Sequence, residues 1–427
     1  MLSVLALLVA APTTETRVFR LDNGLQVAIQ PDLSRPWVTV GAVYRSGASS
    51  EQRPGSGLAH LVEHLAFQRT AHASSLALTL ESIPGAEYNG WTEADATAYI
   101  ETVPSAYVSR ALWVEAERMG FLCEAIDQPT LDREKPVVLA ERRERLTERP
   151  YGTTDAAITG AMYPTGHPLR EGAIGTAEGI AANTLAEVRS FCADHYHPGN
   201  AALVVAGAFD PSLVEKVIRE YFASLRAGPS SSPAVLGPNI AGRTIRIGEP
   251  VAKRGRVSFV WRGPEPASVE ASDLELLAHL IRGRLSRIGV ANWTEVALEE
   301  VDAALIVEHG ASLFRVDAEV APGMDLEIAS RRLERMIETY VEYPPDARAL
   351  ASALRGIEVS YWAASVDVGG RTASVIHRYL RSGTFQSVTS VIARWRRSTP
   401  ESVAKSLEIY LRRPPLVVLA QPIGDSR

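Results

Sequence analysis

A short pattern occurs twice in this chain, at a distance close to half of its length. Leu-Ala-His-Leu at residues 58–61 recurs at residues 277–280, an offset of 219 in a chain of 427 residues. A strand-like run precedes each copy by the same distance, at residues 38–40 and 257–259. Because a repeated order of elements marks a repeated structural unit, the sequence predicts an internal duplication.

The length of the chain also favours two domains, since one hydrophobic core seldom serves so many residues. Between residues 227 and 245 the composition shifts to Ala, Gly, Pro and Ser, which is typical of an exposed linker. We therefore predict an N-terminal domain of residues 16–226, a linker of residues 227–245 and a C-terminal domain of residues 246–427.

Strand and helix patterns alternate along the first half. Strand-like alternation begins at Arg17, turns at Asn23-Gly24 and resumes, which is a strong hairpin signal. Helical periodicity dominates later, for example in residues 108–123 and 132–145. The predicted fold class is α+β, with two duplicated domains that each contain a mostly antiparallel sheet packed with helices.

Composition excludes several classes of function. A net charge of -6 gives no indication of nucleic-acid binding, and 46% hydrophobic with 22% charged residues is typical of folded enzymes. The two cysteines, Cys123 and Cys192, lie in apolar helical stretches and form no Cys-x-x-Cys motif. We expect buried thiols, with a disulfide or a redox pair as the alternative.

The first residues of the chain are apolar and uncharged. They are too few to span a bilayer as a mature helix, so no membrane span is expected in the mature chain. Residues 9–11, Val-Ala-Ala, suit a signal-peptide cleavage site, although the basic region that normally precedes it is missing. We interpret residues 1–15 as a possible leader and favour a periplasmic or otherwise exported protein over a cytoplasmic one. A short apolar tail is the alternative.

The run His60-Leu-Val-Glu63-His64 carries the clearest chemical signal. On a helix His60 and His64 lie one turn apart, so both imidazoles project from one face and can share a metal ion. Glu63 lies beside them and can take a proton from water. A catalytic zinc needs a third protein ligand, typically a carboxylate, and Glu134 and Glu141 lie seven residues apart on one predicted helix face. Pro136 should bend that helix.

These motifs resemble the inverted zinc peptidases that include pitrilysin, insulin-degrading enzyme and mitochondrial processing peptidase. Glu141, the second of the two glutamates, lies 77 residues after His64, a spacing similar to that of the family. Residues 85–99 are similar to the family's substrate-binding edge strand and its return. The family's order of elements continues to about residue 226, and the second half resembles it only through the duplication.

The resemblance implies roles for particular residues. It implies one zinc ion per chain, held by His60, His64 and Glu141. It implies Glu63 as the general base and Glu134 as a carboxylate that orients a ligand. It implies that substrate binds along the edge strand, at Asn89, Gly90 and Thr92. In the family, two such domains form half of a clamshell.

The sequence departs from the family at one point. Active members usually receive an arginine and, seven residues later, a tyrosine that contact the substrate. Leu298 and Leu305 occupy these positions in our alignment, and neither donates a hydrogen bond. We hypothesise a paralogous partner subunit that supplies the Arg/Tyr pair. The alternative is a misalignment, with Arg284 or Arg287 in that role.

The sequence thus predicts a zinc-dependent endopeptidase that hydrolyses short or unfolded peptides, as the metal-bearing subunit of a heterodimer. The alternative is a non-catalytic scaffold or core subunit of a larger complex. The second copy of the motif has Arg282 and Gly283 where the first has Glu63 and His64. We therefore expect His279 to be a structural histidine, and the metal to be bound in the first half.

Overall fold

The computed structural model describes residues 16–229, 242–288, 298–308, 311–363, 368–382 and 384–423. In these residues the first half forms strands β1 Arg17–Arg20, β2 Gln26–Pro31, β3 Trp37–Tyr44, β4 Glu87–Thr92, β5 Thr97–Pro104 and β6 Ala201–Gly207. Its helices are α1 Leu58–Leu65, α2 Leu76–Glu81, α3 Val108–Phe121, α4 Gln128–Arg143, α5 Gly152–Met162, α6 Ala177–Ala182, α7 Leu185–His195 and α8 Pro211–Phe222.

The second half repeats this mixture of elements. Its strands are β7 Arg243–Glu249, β8 Gly255–Arg262, β9 Leu298–Glu308, β10 Ala311–Val320 and β11 Leu416–Pro422. Its helices are α9 Val269–Ile288, α10 Leu326–Glu342, α11 Ala347–Ala363, α12 Val368–Ser382, α13 Val388–Trp395 and α14 Pro400–Tyr410. None of the helices in the described ranges combines the length and the apolar character that crossing a membrane requires.

The two sheets share one arrangement of five strands, to which the first sheet adds β1 at its edge. The first has the strand order β1-β2-β6-β3-β5-β4 and the second the order β7-β11-β8-β10-β9. In each sheet one pair is parallel, β2 with β6 and β7 with β11, and the other pairs are antiparallel. The repeated strand runs lie in β3 and β8, and the repeated histidines lie on α1 and α9. The predicted α+β fold of two duplicated domains is confirmed.

The predicted hairpin at the start of the chain is also observed. Strands β1 and β2 pair antiparallel, with Arg20 opposite Gln26. The turn between them needs a glycine, because Gly24 has a φ of 97°. Asn23 stabilises the connection by donating to the carbonyl oxygens of Phe222 and Leu225 at 2.7 and 3.2 Å.

One helix of each half packs on the sheet of the other half. Helix α5 of the first half packs against the second sheet, through a cluster that joins its Ile158 and Met162 to Val260, Leu416 and Val418. Helix α12 of the second half covers the outer face of the first sheet, through a cluster that joins its Val375, Ile376 and Tyr379 to Val43, Ala98 and Val204. This exchange couples the two halves through buried apolar surface.

The exchange bears on the predicted domain limits. Residues 16–226 and 246–427 remain our prediction for the two units, but α5 and α12 each pack on the sheet of the other unit. Strand β7 already begins at Arg243, inside the segment predicted as a linker. Residues 230–241 of that segment, and the possible leader, lie outside the described residues.

The prediction for the cysteines was wrong. Cys123 and Cys192 form a disulfide, with their Cα atoms 5.4 Å apart. Cys123 follows α3 directly and Cys192 lies on α7, which is 69 residues away in the chain. Both stretches are apolar, as expected for buried thiols, but only the packing of α7 beside the end of α3 brings the two sulfur atoms together.

Removal of this disulfide should lower the free energy of unfolding by about 2–4 kcal/mol, because the bond closes a long loop in the unfolded chain. The double variant Cys123→Ser, Cys192→Ser can be compared with the wild type by denaturant titration. The two proteins should differ under oxidising conditions and coincide with reductant present. A wild type that is equally stable with and without reductant would contradict this prediction.

Candidate metal centre

Helix α1, which carries the histidine motif, begins at a tight turn. Its N-cap is Gly57, in a left-handed conformation with a φ of 60°. A Cβ atom there would lie 2.8 Å from the carbonyl oxygen of Ile174, so only glycine fits. The preceding residue, Ser56, donates its hydroxyl to the carboxylate of Glu51 at 2.6 Å.

Glu51 caps this helix end and was missed by the sequence analysis. Its two carboxylate oxygens accept from the backbone N–H groups of Gly57 and Ala59 at 3.1 and 3.0 Å. Burial raises the pKa of Glu51 to about 7, although these donors act in the opposite direction. A carboxylate here satisfies N–H groups that have no partner within the helix. No local pattern marks a cap that lies six residues before the N-cap.

Helix α1 holds both histidines against the core. His60 is buried and His64 is partly exposed, and their ring centroids lie 4.8 Å apart. His60, Glu63 and His64 each offer one ligand atom, and these atoms lie within 4.8 Å of one another. Three potential metal ligands therefore meet on one turn of this helix.

Helix α4 supplies the two other carboxylates. Its N-cap is Asp127, which accepts from the backbone N–H of Thr130 at 2.9 Å. The helix continues through Pro136 as far as Arg143. Glu134 and Glu141 lie two turns apart, on the side that faces α1.

The carboxylate of Glu141 reaches both imidazoles. Its Oε2 lies 3.0 Å from Nε2 of His64 and 3.5 Å from Nε2 of His60. Two ligand atoms of a tetrahedral zinc ion lie about 3.4 Å apart, because each is about 2.0–2.1 Å from the metal. The two distances from the Glu141 oxygen lie near this value, and two imidazole nitrogens with a carboxylate oxygen are donors that zinc binds.

Glu134 approaches the other side of His64. Its Oε2 lies 3.8 Å from Nδ1 of that ring, beyond an ordinary hydrogen bond. A ligand histidine usually donates its second ring N–H to a carboxylate or carbonyl, which orients the ring. Glu134 is in position for this role after a small adjustment.

Burial and charge affect the two histidines differently. Burial, followed by the neighbouring His64, lowers the pKa of His60, which favours the neutral form that binds metals. Burial also lowers the pKa of His64, but the nearby carboxylate of Glu134 and the hydrogen bond to Glu141 outweigh it and raise this pKa above its usual value. The hydrogen bond from His64 in turn lowers the pKa of Glu141.

Glu63 lies beside the three donors and is almost fully buried. Burial raises its pKa above the ordinary value for a glutamate. Thr92, the last residue of β4, donates its hydroxyl to Oε2 of Glu63 at 2.5 Å. Thr92 was predicted to bind substrate, but its hydroxyl points to the carboxylate of Glu63.

Asn89 and Gly90 lie on β4, at the edge of the first sheet. The Asn89 side chain is exposed and accepts from the N–H of Gly90 at 2.9 Å. A Cβ atom on Gly90 would lie 3.1 Å from the ring of Phe67, so the strand lies close against the core there. In the described part of the chain β4 pairs only with β5, which leaves its other edge available for a further strand.

Two arginines near the site were also missed. Arg145 pairs with Oε1 of Glu141, four residues earlier. The i, i+4 spacing of these two residues was the available signal. Arg118, fully buried on α3, donates to the carbonyl oxygen of Ala66 at 3.2 Å, at the C-terminal end of α1. Its i, i+3 spacing from Glu115 was the available signal, but that spacing does not indicate that the pair is buried.

Arg118 is held by two buried carboxylates. Its guanidinium contacts Glu101 at 2.9 Å and also Glu115, and all three side chains are fully buried. Burial, followed by the charge of Glu115, raises the pKa of Glu101 far above its usual value.

Among the described residues, the second half has no group of metal ligands at the equivalent place. An offset of 219 residues places Ala353 opposite Glu134 and Ser360 opposite Glu141. His279 packs against Gly356, where an added Cβ would lie 2.0 Å from Nε2 of the ring. Arg282 pairs with Asp302 on β9. The ring of His279 is thus packed against a helix, as expected for a structural histidine.

The two leucines aligned with the Arg/Tyr pair face the second core. Leu305 is buried in this core, and Leu298 packs against it. A bulge near Leu298 allows both side chains to lie on the same face of β9. The side chains of Arg284 and Arg287, the alternative residues, lie outside the described part of the chain.

Family models match both halves. Residues 26–165 match the model described as insulinase (peptidase family M16), and residues 183–355 match the peptidase M16 inactive domain. The Helicobacter pylori zinc protease PqqE is 31% identical over 209 residues, which are 48% of this chain and 46% of that protein. Bovine cytochrome b-c1 complex subunit 1 is 26% identical over 215 residues, 49% of this chain and 43% of that protein.

Other relatives are beta subunits of mitochondrial-processing peptidase. The chain matches about half of the length of these curated relatives. A crystal structure of a protease from Helicobacter pylori has the same fold, with a TM-score of 0.86 at 21% identity over 96% of this chain and 100% of that one. Zinc is the general cofactor of the peptidases in this group. The chain belongs to peptidase family M16.

Proposed function

We propose that this chain is the zinc-bearing subunit of an endopeptidase that hydrolyses short or unfolded polypeptides. The observation that carries the proposal is the convergence of His60, His64 and Glu141 at the spacing of a tetrahedral zinc site, with the carboxylate of Glu63 beside them. A structural zinc usually has four protein ligands, whereas three ligands leave a position for water and substrate.

The metal ligands and Glu63 have separate roles in the proposed reaction. A bound zinc ion would act as a Lewis acid that polarises the scissile carbonyl and makes water nucleophilic near neutral pH. Glu63 accepts the proton of the attacking water and passes it to the leaving amine. The raised pKa of Glu63 suits this exchange, because a carboxyl group that titrates nearer to neutrality both accepts and returns a proton.

The edge strand β4 is the proposed substrate site. An extended peptide can add to this edge through main-chain hydrogen bonds. Because these bonds do not involve the side chains of the peptide, peptides of many sequences can bind in this way. Asn89 and Gly90 lie on this strand, and Thr92 at its end contacts Glu63. A peptide that pairs with β4 would therefore pass beside the general base.

Glu63→Gln should lower kcat/KM for an unfolded peptide by about 100- to 10,000-fold, because the amide cannot accept the proton. Zinc content, measured by elemental analysis, should stay near one ion per chain in this variant and fall in His64→Ala. Glu144→Gln is the matched control, since Glu144 is exposed at the end of α4. Equal cleavage by Glu63→Gln and wild type would contradict the proposal.

A scaffold role is the second candidate, and the cytochrome b-c1 subunit among the relatives favours it. A scaffold has no need for three metal donors around an open position, which is the argument for catalysis. The Glu63→Gln experiment separates the two. Zinc binding without any Glu63-dependent cleavage would support the scaffold.

We further propose that a paralogous partner subunit completes the active site. Leu305 is buried in the second core, so its position presents no donor to a substrate. Relatives named as subunits of a processing peptidase support a paired arrangement.

The isolated chain should cleave a fluorogenic peptide about 100- to 1,000-fold more slowly than the complex purified from its native cell, because an oxyanion donor is missing. The same complex with Glu63→Gln is the control for activity of the partner itself. Full activity of the isolated chain would contradict the partner hypothesis.

Export is proposed from the disulfide and the apolar N-terminus. Disulfides persist in oxidising compartments such as the periplasm, and the Cys123–Cys192 bond fits such a location. The native protein should begin after Ala11 and contain no free thiol, as measured by N-terminal sequencing and thiol titration. A native chain that retains Met1 and both thiols would contradict export.

A further inference from the structure

The hydrogen bond between Thr92 and Glu63 runs from the hydroxyl to the carboxylate. When Glu63 is ionised, as it is when it acts as a base, its carboxylate only accepts hydrogen bonds, so the hydroxyl of Thr92 donates to Oε2 of Glu63. The distance of 2.5 Å is at the short end for a bond to a charged acceptor. Thr92 therefore donates its single hydroxyl hydrogen to Glu63.

The nearest competing partner is Thr97, which lies opposite Thr92 on β5. Its Oγ1 lies 3.4 Å from Oγ1 of Thr92, beyond the range of an O–H···O hydrogen bond. The Thr97 hydroxyl gives its own hydrogen to the carbonyl oxygen of Ser46 at 2.9 Å. Thr97 therefore supports the position of Thr92 without taking its hydrogen.

The anchor for Glu63 is thus part of the sheet rather than of a loop. Thr92 is paired with the fully buried Thr97 at the end of the β4 and β5 ladder, and a β-branched side chain has few rotamers. Groups held by regular elements keep a site within the narrow geometric tolerance that catalysis needs.

We propose that Thr92 is a positioning residue that holds one oxygen of Glu63 and thereby keeps its carboxylate beside the metal site as a base. The inference rests on the proposed function of the site. With Oε2 held by Thr92, Oε1 remains to accept the proton of the attacking water.

The hydrogen bond from Thr92 also keeps Glu63 from becoming a metal ligand itself. The ligand atoms of Glu63, His60 and His64 lie within 4.8 Å of one another, so an unrestrained Glu63 could turn and bind the metal itself. A fourth protein ligand would occupy the open position that catalysis requires. The hydroxyl of Thr92 thus separates the role of Glu63 from that of the ligand Glu141.

The test compares Thr92→Val, which removes the hydroxyl at nearly constant shape, with Thr92→Ser, which keeps it. Both are made in the full chain, loaded with zinc and assayed in the native complex on one fluorogenic peptide. Thr92→Val should lower kcat by about 10- to 100-fold with KM changed less than about twofold. Thr92→Ser should stay within about threefold of the wild type. Thr102→Val is the matched control, because it removes a hydroxyl from β5 that bonds to Thr39 on β3, away from Glu63.

A second measurement does not depend on activity. In crystals of the zinc-loaded Thr92→Val chain the Glu63 carboxylate should leave its wild-type position, and in Thr92→Ser it should keep it. An unchanged Glu63 in Thr92→Val would overturn the proposal. A wild-type kcat in that variant, an effect mainly on KM, or a Thr92→Ser variant as slow as Thr92→Val would do the same.

Failure of this inference differs from failure of the proposed function. If the complex cleaves peptide equally with and without Glu63→Gln, the peptidase proposal is wrong. If Glu63→Gln abolishes cleavage while Thr92→Val has no effect, the peptidase proposal stands and Thr92 does not position the base.

Discussion

The packing of α4 against α1 is the contact on which the whole site depends. The two imidazoles come from one helix and the third donor from the other, 77 residues later, yet Glu141 Oε2 lies 3.0 Å from His64 Nε2. Each helix is anchored at its own N-terminus, α1 by Glu51 and α4 by Asp127. A shift of one helix along the other by half a turn, about 2.7 Å, would remove Glu141 from both rings.

The buried side chains of Glu51 and Arg118 hold α1 in place, although their burial costs solvation free energy. Burying a charge without partners is strongly unfavourable, so such groups survive only where partners are supplied. Glu51 receives donors from the first turn of α1, and Arg118 donates to the carbonyl at its last turn. The helix with the histidines is therefore held at both ends by side chains from outside it. Apolar residues in these positions would leave helix ends without hydrogen-bond partners in the core.

The duplication allows the two halves to cover each other's sheets. Each sheet would expose an apolar face on its own, and each half covers this face with a helix of the other, α5 on the second sheet and α12 on the first. The second copy thus contributes to the stability of the first. Its own equivalent positions, Ala353 and Ser360, are free of metal donors, and Gly356 allows a helix to pack directly on His279.

The sequence by itself determined the local features of this protein. The duplication, the hairpin at Gly24, the α+β class and the histidine pair on one helix face all follow from periodicity and short spacing, which act within a few residues. Tertiary structure alone decided which distant groups meet. It joined Cys123 to Cys192, brought the hydroxyl of Thr92 to Glu63, and packed α5 and α12 each on the sheet of the other half. These contacts depend on how helices and sheets pack, and residues 69 apart carry no local pattern that records their final distance.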